Sequence, residues 1–168
     1  DDTLSVAKGL FERGAKVVGV PKTMDNDVAE TEYCIGFDTA TNIVADALDK
    51  LHTTASAHAR IMVVEVMGRD AGWVATVGGL AGGADMILIP EVPVSLDTVA
   101  EHAKRRWERG KTFSIIVVAE GAHITDMPQI DVSEGTRDAF GHVRLDRRGI
   151  GEMVARESEG SGFSKGER

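Results

Sequence analysis

Short, nearly continuous apolar runs alternate with longer segments of helical periodicity along most of this chain, and this alternation restricts the possible folds most strongly. The apolar runs predict strands, and the periodic segments between them predict amphipathic helices. Strands that alternate with helices are joined by crossover connections, which produce a parallel sheet with helices on both faces. We therefore predict an α/β fold with three layers, αβα, and mainly parallel sheets.

The boundaries of these elements follow from the spacing of apolar residues and from cap and break signals. Apolar residues from Phe37 to Leu51 recur at helical spacing, which makes this the strongest helix in the sequence. Ser95 is placed to cap a later helix. The predicted helices cover residues 3–13, 37–51, 71–81, 96–107 and 148–156. The predicted strands cover residues 16–20, 61–66, 86–89 and 113–119, and residues 123–146 are predicted to form a loop or lid.

Three polar turns directly follow predicted strands and are the candidate ligand-binding segments. They are residues 21–27, 67–70 and 120–122. In open parallel sheets, ligands bind in the crevice outside the carboxyl ends of the strands. These turns are therefore expected to lie at one edge of the sheet and to face a common ligand.

The turn at 21–27 carries a cation, a hydroxyl, an amide and two carboxylates, contributed by Lys22, Thr23, Asp25, Asn26 and Asp27. One carboxylate can act as a general base on a substrate hydroxyl. The other can hold an arginine or Mg²⁺. The alternative is ordinary turn chemistry, because Asp and Asn favour turns.

The other two turns offer groups suited to phosphate and sugar. Gly68 allows a ligand to approach the backbone, and the helix that follows can present N–H groups to a phosphate. Arg69 can pair with a phosphate or with a carboxylate of the first turn, and Glu120 can accept hydrogen bonds from sugar hydroxyls. The alternatives are a strand-to-helix turn with a surface arginine, and a solvated glutamate.

Composition excludes several classes of function. The chain of 168 residues has the size of one domain, and its net charge of −8 without a basic stripe argues against a nucleic-acid partner. The single cysteine, Cys34, cannot form an intrachain disulfide, which fits a reducing, cytoplasmic location. No apolar run approaches the roughly 20 residues that a membrane span needs. We therefore predict a cytoplasmic protein without a membrane segment.

Four motifs in this order and spacing resemble the 6-phosphofructokinase family. They are Pro21-Lys22-Thr23-Met24-Asp25-Asn26-Asp27, Gly36-Phe37-Asp38-Thr39-Ala40, Met67-Gly68-Arg69 and Glu120-Gly121-Ala122. The opening Asp1-Asp2-Thr3-Leu4 resembles the tail of that family's Gly-Gly-Asp-x-[Ser/Thr] phosphate loop. The resemblance runs from residue 1 to about residue 150 and implies a phosphofructokinase-like fold that is incomplete at both ends.

The resemblance implies catalytic and metal-binding roles. Asp25 matches the general base that takes the proton from the sugar 1-hydroxyl, and Thr23 matches a residue that binds the transferred phosphoryl group and the sugar. Asp27 matches a carboxylate that works with the Mg²⁺ site and pairs with Arg69, a further catalytic candidate. Asp1 matches the aspartate of the Gly-rich loop that is associated with Mg²⁺.

The resemblance also implies substrate contacts and an oligomer. Met67, Gly68 and Glu120 match residues that contact fructose 6-phosphate. Arg60 matches an arginine that reaches the sugar phosphate of a neighbouring subunit. This last role requires a homo-oligomer, either a dimer or a tetramer.

The phosphoryl donor is predicted from two positions. ATP-using members of the family often have glycine where this chain has Asp2, and many also have glycine at Lys22. A carboxylate near the α-phosphate of ATP disfavours the nucleotide by like charge, and a lysine can hold the smaller pyrophosphate. The resemblance therefore implies a glycolytic, pyrophosphate-dependent phosphotransferase. The alternatives are an ATP-dependent enzyme and a non-catalytic regulatory subunit that binds sugar phosphate.

The resemblance divides the chain into parts of two domains. Residues 1–36 are expected to belong to the donor-binding domain, for pyrophosphate or ATP. Residues 37–157 are expected to form part of the fructose 6-phosphate-binding domain. Residues 158–168 show no helical or strand period and are expected to form an irregular tail.

Overall fold

The computed structural model describes residues 2–127 and 149–158. Helices and strands alternate along this part of the chain. In order, the elements are α1 (Asp2–Glu12), β1 (Lys22–Thr23), β2 (Ile35–Gly36), α2 (Phe37–His58), β3 (Ile61–Val66), α3 (Trp73–Ala81), β4 (Met86–Leu88), α4 (Leu96–Glu108), β5 (Ser114–Ala119) and α5 (Ile150–Ser158).

The larger sheet has the strand order β3-β5-β4, and all its pairs are parallel. The central strand β5 is buried along its whole length, as its continuous apolar sequence requires when both faces are covered. In its register with β3, Val66 lies opposite Ala119, so the two strands end side by side. A second, two-stranded parallel sheet pairs β1 with β2.

Alternate side chains of β5 belong to two separate hydrophobic cores. Ile115 and Val117 pack in one core with buried residues of α2 and α3. Ile116 and Val118 pack in the other core with buried residues of α4 and α5. Because successive strand residues point to opposite faces, this partition confirms the predicted three-layer αβα arrangement.

Helices α2 and α3 pack closely because glycines line their contact. A Cβ atom added at Gly78 would lie 2.7 Å from the Cβ of Val44, and one at Gly82 would lie 2.6 Å from Cδ1 of Leu48. Real Cβ atoms do not approach so closely, so both positions require glycine. This contact sets where the turn before α3 lies.

The buried strand predicted at residues 16–20 is wrong. The segment forms no strand in the described structure, and Val18 and Val20 are 91% and 58% exposed. A strand is stabilised by hydrogen bonds to a neighbouring strand, and no described strand pairs with these residues. As a result, the turn at 21–27 follows an extended segment, and its residues Lys22 and Thr23 themselves form β1.

The other predicted elements are present, with ends shifted by a few residues. Helix α3 begins at Trp73 rather than at residue 71, α5 begins at Ile150 rather than at 148, and α2 continues to His58. Ser95 caps α4 as predicted, because its side chain accepts a hydrogen bond from the Thr98 amide. The predicted lid beyond residue 127 and the tail beyond residue 158 lie outside the described residues. No helix in the described ranges combines the length and the apolar character of a membrane span.

Candidate active site

The residues of the first turn, 21–27, orient the Asp25 carboxylate; we call this segment the Asp25 turn. Thr23 lies at the end of β1, and its Oγ1 donates a hydrogen bond to Oδ2 of Asp25 over 3.3 Å. The same Oγ1 accepts a bond from the Asp25 amide over 3.2 Å. One hydroxyl therefore contacts both the backbone and the side chain of Asp25, which restricts the positions that the carboxylate can take.

Asn26 holds the Asp25 turn against the segment that leads into β2. Its Oδ1 accepts a hydrogen bond from the Cys34 amide over 2.8 Å, and its Nδ2 donates one to the Glu32 carbonyl over 3.3 Å. Asn26 has φ of 55°, a left-handed conformation that asparagine tolerates better than most residues. Cys34 is buried. The amide side chain thus has a structural role in the turn.

Glu120 connects the second and third turns, which we call the Arg69 turn and the Glu120 turn (120–122). The Arg69 turn (67–72) is the predicted turn 67–70 extended to Gly72, the N-cap of α3. Its Oε1 accepts hydrogen bonds from the amides of Gly68, over 3.1 Å, and Arg69, over 2.9 Å. The Glu120 amide donates in turn to the Val66 carbonyl over 2.9 Å. The parallel register of β3 and β5 places the ends of both strands together, and the carboxylate then braces the neighbouring turn. The predicted proximity of these turns is therefore observed.

The Arg69 turn has an unfavourable backbone conformation. Arg69 has φ of 51°, and the Ala71 amide closes the turn with a 2.9 Å hydrogen bond to the Gly68 carbonyl. A left-handed conformation costs a non-glycine residue about 1–3 kcal/mol and persists where the surroundings hold it. At Gly121, a Cβ atom would collide with the Arg69 carbonyl oxygen, so the Glu120 turn lies directly against this backbone.

The electrostatic surroundings of Asp25 bring together all three turns. Partial burial is the main cause that raises the pKa of Asp25 above its ordinary value of 3.8, and repulsion by Asp27 raises it further. Glu120 also raises this pKa, whereas the Thr23 hydrogen bond and the charge of Arg69 lower it. Residues from three separate turns therefore act on one carboxyl group, and a raised pKa is typical of a carboxylate that exchanges protons in a site.

Asp25→Asn is expected to raise the unfolding temperature of the full-length protein near pH ~7, measured with metal ions chelated. Because the folded state raises the pKa of Asp25, proton binding stabilises it fully below about pH 3.8. That contribution is lost as the pH rises through the folded-state pKa. Above it, the half-buried charge disfavours folding, and asparagine removes the charge.

Thermal unfolding of Asp25→Asn and wild type at about pH 7 and about pH 3.5 tests this expectation. The difference should shrink at the lower pH, where Asp25 is protonated in both states. Asp49→Asn, on an exposed position of α2, serves as the control and should change little at either pH. A lower unfolding temperature for Asp25→Asn at neutral pH would contradict the assigned cause.

The pairing of Asp27 with Arg69, implied by the family resemblance, is wrong for this structure. Within the described residues the two side chains form no ion pair, and both residues are exposed. An exposed ion pair contributes only about 0–1 kcal/mol, which is little to set against ordering two mobile side chains. Asp27 instead acts on Asp25 through repulsion.

Several predicted site residues lie apart from this cluster or outside the described structure. Arg60 is exposed and precedes β3, at the opposite end of the strand from Met67, so a strand of about 20 Å separates them. Met67 is 58% exposed beside the cluster. Lys22 is exposed in β1. Asp2 is the first residue of α1, and Asp1 lies outside the described residues.

The amino end of α3, which the sequence predicts to face a phosphate, already bonds to a carboxylate through one of its amides. The amide of Gly72, its N-cap, donates a 2.8 Å hydrogen bond to Oε1 of Glu91. A carboxylate here satisfies the amide and complements the positive end of the helix. Glu91 is not among the site residues predicted from the sequence. It follows the end of β4, so the strand-end rule that selected the other turns also applies to it.

The acidic residues of the Asp25 turn fit a divalent cation in their chemistry. Asp25 and Asp27 repel each other, as the raised pKa of Asp25 reflects, and a cation would relieve this repulsion. Mg²⁺ is commonly bound through one or two carboxylates together with phosphate oxygens and water. The donor set is therefore of the type that Mg²⁺ prefers.

Comparison with known proteins assigns a family to this arrangement. The family model described as Phosphofructokinase matches residues 1–162. A pyrophosphate--fructose 6-phosphate 1-phosphotransferase from Amycolatopsis methanolica is 54% identical over 157 residues, which cover 94% of this chain and 45% of that protein. An ATP-dependent 6-phosphofructokinase from Chloroflexus aurantiacus is 52% identical over 142 residues, which cover 84% of this chain and 40% of that protein. The chain thus spans less than half the length of these relatives.

A solved structure shares the fold. The crystal structure of a pyrophosphate-dependent phosphofructokinase from Marinobacter aquaeolei matches with a TM-score of 0.61 and 30% sequence identity. The match covers 72% of this chain and 33% of that one. The relatives therefore include users of both phosphoryl donors at similar sequence identity.

Proposed function

Because this chain belongs to the phosphofructokinase family, we propose that the full-length protein transfers a phosphoryl group to the 1-hydroxyl of fructose 6-phosphate. The product is fructose 1,6-bisphosphate, and the reaction is a step of glycolysis that depends on Mg²⁺. The cytoplasm is the proposed location, and Arg60 is proposed to serve the site of a neighbouring subunit in a homo-oligomer.

The observation that carries this proposal is the convergence of three turns on the Asp25 carboxyl group. Thr23 bonds to it, and the charges of Asp27, Arg69 and Glu120 all act on it. A general base must be a proton acceptor with a pKa near the working pH. Such an arrangement suits proton removal from an alcohol beside an anionic substrate.

In the proposed reaction, Asp25 accepts the proton of the 1-hydroxyl as its oxygen attacks the terminal phosphorus of the donor. The bond from that phosphorus to the leaving group breaks, and the leaving group departs as orthophosphate or as ADP. Thr23 and Arg69 hold the transferred group and the substrate phosphate. Phosphoryl transfer depends mainly on such positioning and on charge neutralisation.

The remaining roles follow the same assignment. Asp27, together with Asp1, would hold Mg²⁺, which neutralises charge on the phosphoryl oxygens when it is bound. Met67, Gly68 and Glu120 contact the sugar phosphate. Oε1 of Glu120 already accepts two backbone amides, so its other oxygen is the one assigned to the sugar.

We assign pyrophosphate as the phosphoryl donor. The support is Asp2, which is at a position where ATP users often carry glycine, together with Lys22, which is exposed at the entrance to the Asp25 turn. Two of the similar relatives are named as pyrophosphate enzymes. ATP is the alternative donor, and relatives named for ATP are about equally similar.

The division into two domains is part of the proposal. Residues 1–36 are assigned to the donor-binding domain and residues 37–157 to the sugar-binding domain. Apolar side chains are unusually exposed in the first part: Val6, Phe11, Val18 and Val20 are between 58% and 91% exposed. Exposed apolar residues grouped in this way are typical of surfaces that pack against other protein.

Turnover of fructose 6-phosphate by the full-length protein tests the proposal. With Mg²⁺ and pyrophosphate, fructose 1,6-bisphosphate and orthophosphate are expected to form in equal amounts, and a chelator should stop the reaction. Absence of product with either donor would reject the enzymatic function. Binding of fructose 6-phosphate without turnover would favour a regulatory subunit instead.

A further inference from the structure

The Arg69 turn is held at both ends by carboxylates from later parts of the chain. Glu120 accepts the amides of Gly68 and Arg69 at the beginning of the turn. Glu91 accepts the amide of Gly72 at its end, over 2.8 Å. The two anchors come from different strand ends, so tertiary contacts hold the turn in addition to its internal hydrogen bond from the Ala71 amide to the Gly68 carbonyl.

The contact between Glu91 and Gly72 is tightly packed. Gly72 is buried, and a Cβ atom added to it would lie 2.6 Å from Oε2 of Glu91 and 2.6 Å from Cβ of Ile89. The Gly72 backbone therefore lies directly against the segment that follows β4. A buried amide in such a place needs an acceptor, and Glu91 is the one it has.

We propose that Glu91 is a positioning residue for the sugar-phosphate site, and that it acts through Gly72 on Arg69. The left-handed backbone of Arg69, with φ of 51°, is held between the two carboxylate anchors. Without the Glu91 anchor, the end of the turn can shift and the Arg69 backbone can relax, which moves its guanidinium and the backbone of Gly68. This inference rests on the proposed function, in which these groups contact the substrate.

Kinetics of Glu91 variants in the full-length protein test this role. Glu91→Ala removes the acceptor and is expected to raise the KM for fructose 6-phosphate, which lowers kcat/KM for this substrate by about 10- to 100-fold, since small displacements of positioning groups have effects of this size. KM for the phosphoryl donor should stay within about twofold. Glu91→Gln keeps an oxygen acceptor for Gly72 and should stay within about threefold of wild type.

A purely structural role would give a different pattern. Partial unfolding lowers the active fraction, so it would reduce kcat and leave both KM values unchanged. Glu101→Ala is the control, because Glu101 is an exposed residue of α4 whose ion pair among the described residues is with Arg105 in the same helix, over 3.4 Å. If Glu91→Ala does not fold, Glu91→Asp takes its place, because its shorter side chain draws the acceptor away from Gly72.

Hydrogen exchange provides a readout that does not depend on activity. The amides of residues 68–72 are expected to exchange faster in Glu91→Ala than in wild type, and at the wild-type rate in Glu91→Gln. The inference would be overturned if Glu91→Ala, or Glu91→Asp in its place, changed neither the exchange of these amides nor the kinetics with fructose 6-phosphate. Turnover by the wild type would in that case leave the proposed function intact. A wild-type protein without turnover would reject the function, and exchange alone would then decide whether Glu91 holds the turn.

Discussion

Asp25→Asn in the full-length protein is expected to lower kcat by roughly 10²- to 10⁴-fold, the usual contribution of a positioned general base. Asparagine has the shape of aspartate and can still accept a hydrogen bond from Thr23. It cannot take the proton of the sugar hydroxyl. The KM for fructose 6-phosphate should change much less than kcat, because the loss falls on the transition state rather than on binding. Steady-state kinetics with saturating donor and Mg²⁺ measures both.

Asp49→Asn is the matched control for this experiment. It makes the same chemical change at an exposed position of α2, and it should leave kcat and KM at wild-type values. Unfolding temperatures separate a chemical loss from a folding defect, since Asp25→Asn is expected to be at least as stable as wild type near neutral pH. Near-normal turnover by Asp25→Asn would show that another group is the base.

The wild-type protein is expected to use pyrophosphate at least about 100-fold more efficiently than ATP, and the double change Asp2→Gly with Lys22→Gly should reverse much of this preference. A like charge placed against a ligand costs several kcal/mol, which corresponds to about 10²- to 10³-fold in selectivity. Removing Asp2 takes away the charge assigned to exclude the nucleotide, and removing Lys22 weakens the hold on pyrophosphate. The ratio of kcat/KM for the two donors is the quantity to measure.

One single variant separates the two possible causes of donor choice, charge and bulk, and a second single variant is the control. Asp2→Asn removes the charge and keeps the size, so a gain in ATP use by this variant assigns the exclusion to charge rather than to bulk. Lys16→Gly removes a lysine from an exposed, non-helical position of the same segment and should leave the ratio unchanged. Turnover by the wild type with ATP and none with pyrophosphate would refute the donor assignment.

Local sequence patterns were sufficient for the main sheet and its layers. The apolar run from Ile61 to Val66 and the one that ends at Ala119 form β3 and β5, because strands buried on both faces need continuous apolar sequence. The strand-end rule then predicted that the turns after them meet, and Glu120 does bond to the amides of Gly68 and Arg69. These outcomes depend on periodicity, which is a local property of the chain, and on the general rule that parallel strands end at the same edge of a sheet.

Other predictions failed because they required a partner that periodicity does not specify. The apolar residues at 16–20 have strand-like sequence, yet they form no strand, and Val18 is 91% exposed. A strand forms only beside another strand, and none of the described strands pairs with this segment. The pairing of Asp27 with Arg69 failed for a similar reason. Whether two long or flexible side chains meet depends on backbone details of both turns, including the left-handed φ of Arg69.

The amino-acid sequence by itself therefore determined the helices and strands of the main sheet, the three-layer arrangement, and which turns at its strand ends meet. Only the tertiary structure decided the partial burial that raises the pKa of Asp25, and the anchoring of the Arg69 turn by Glu120 and Glu91. The physical reason is the range of the interactions. Helical and strand periods act between near neighbours, whereas desolvation and backbone anchoring depend on residues that are distant in sequence and become adjacent only when the sheet is assembled.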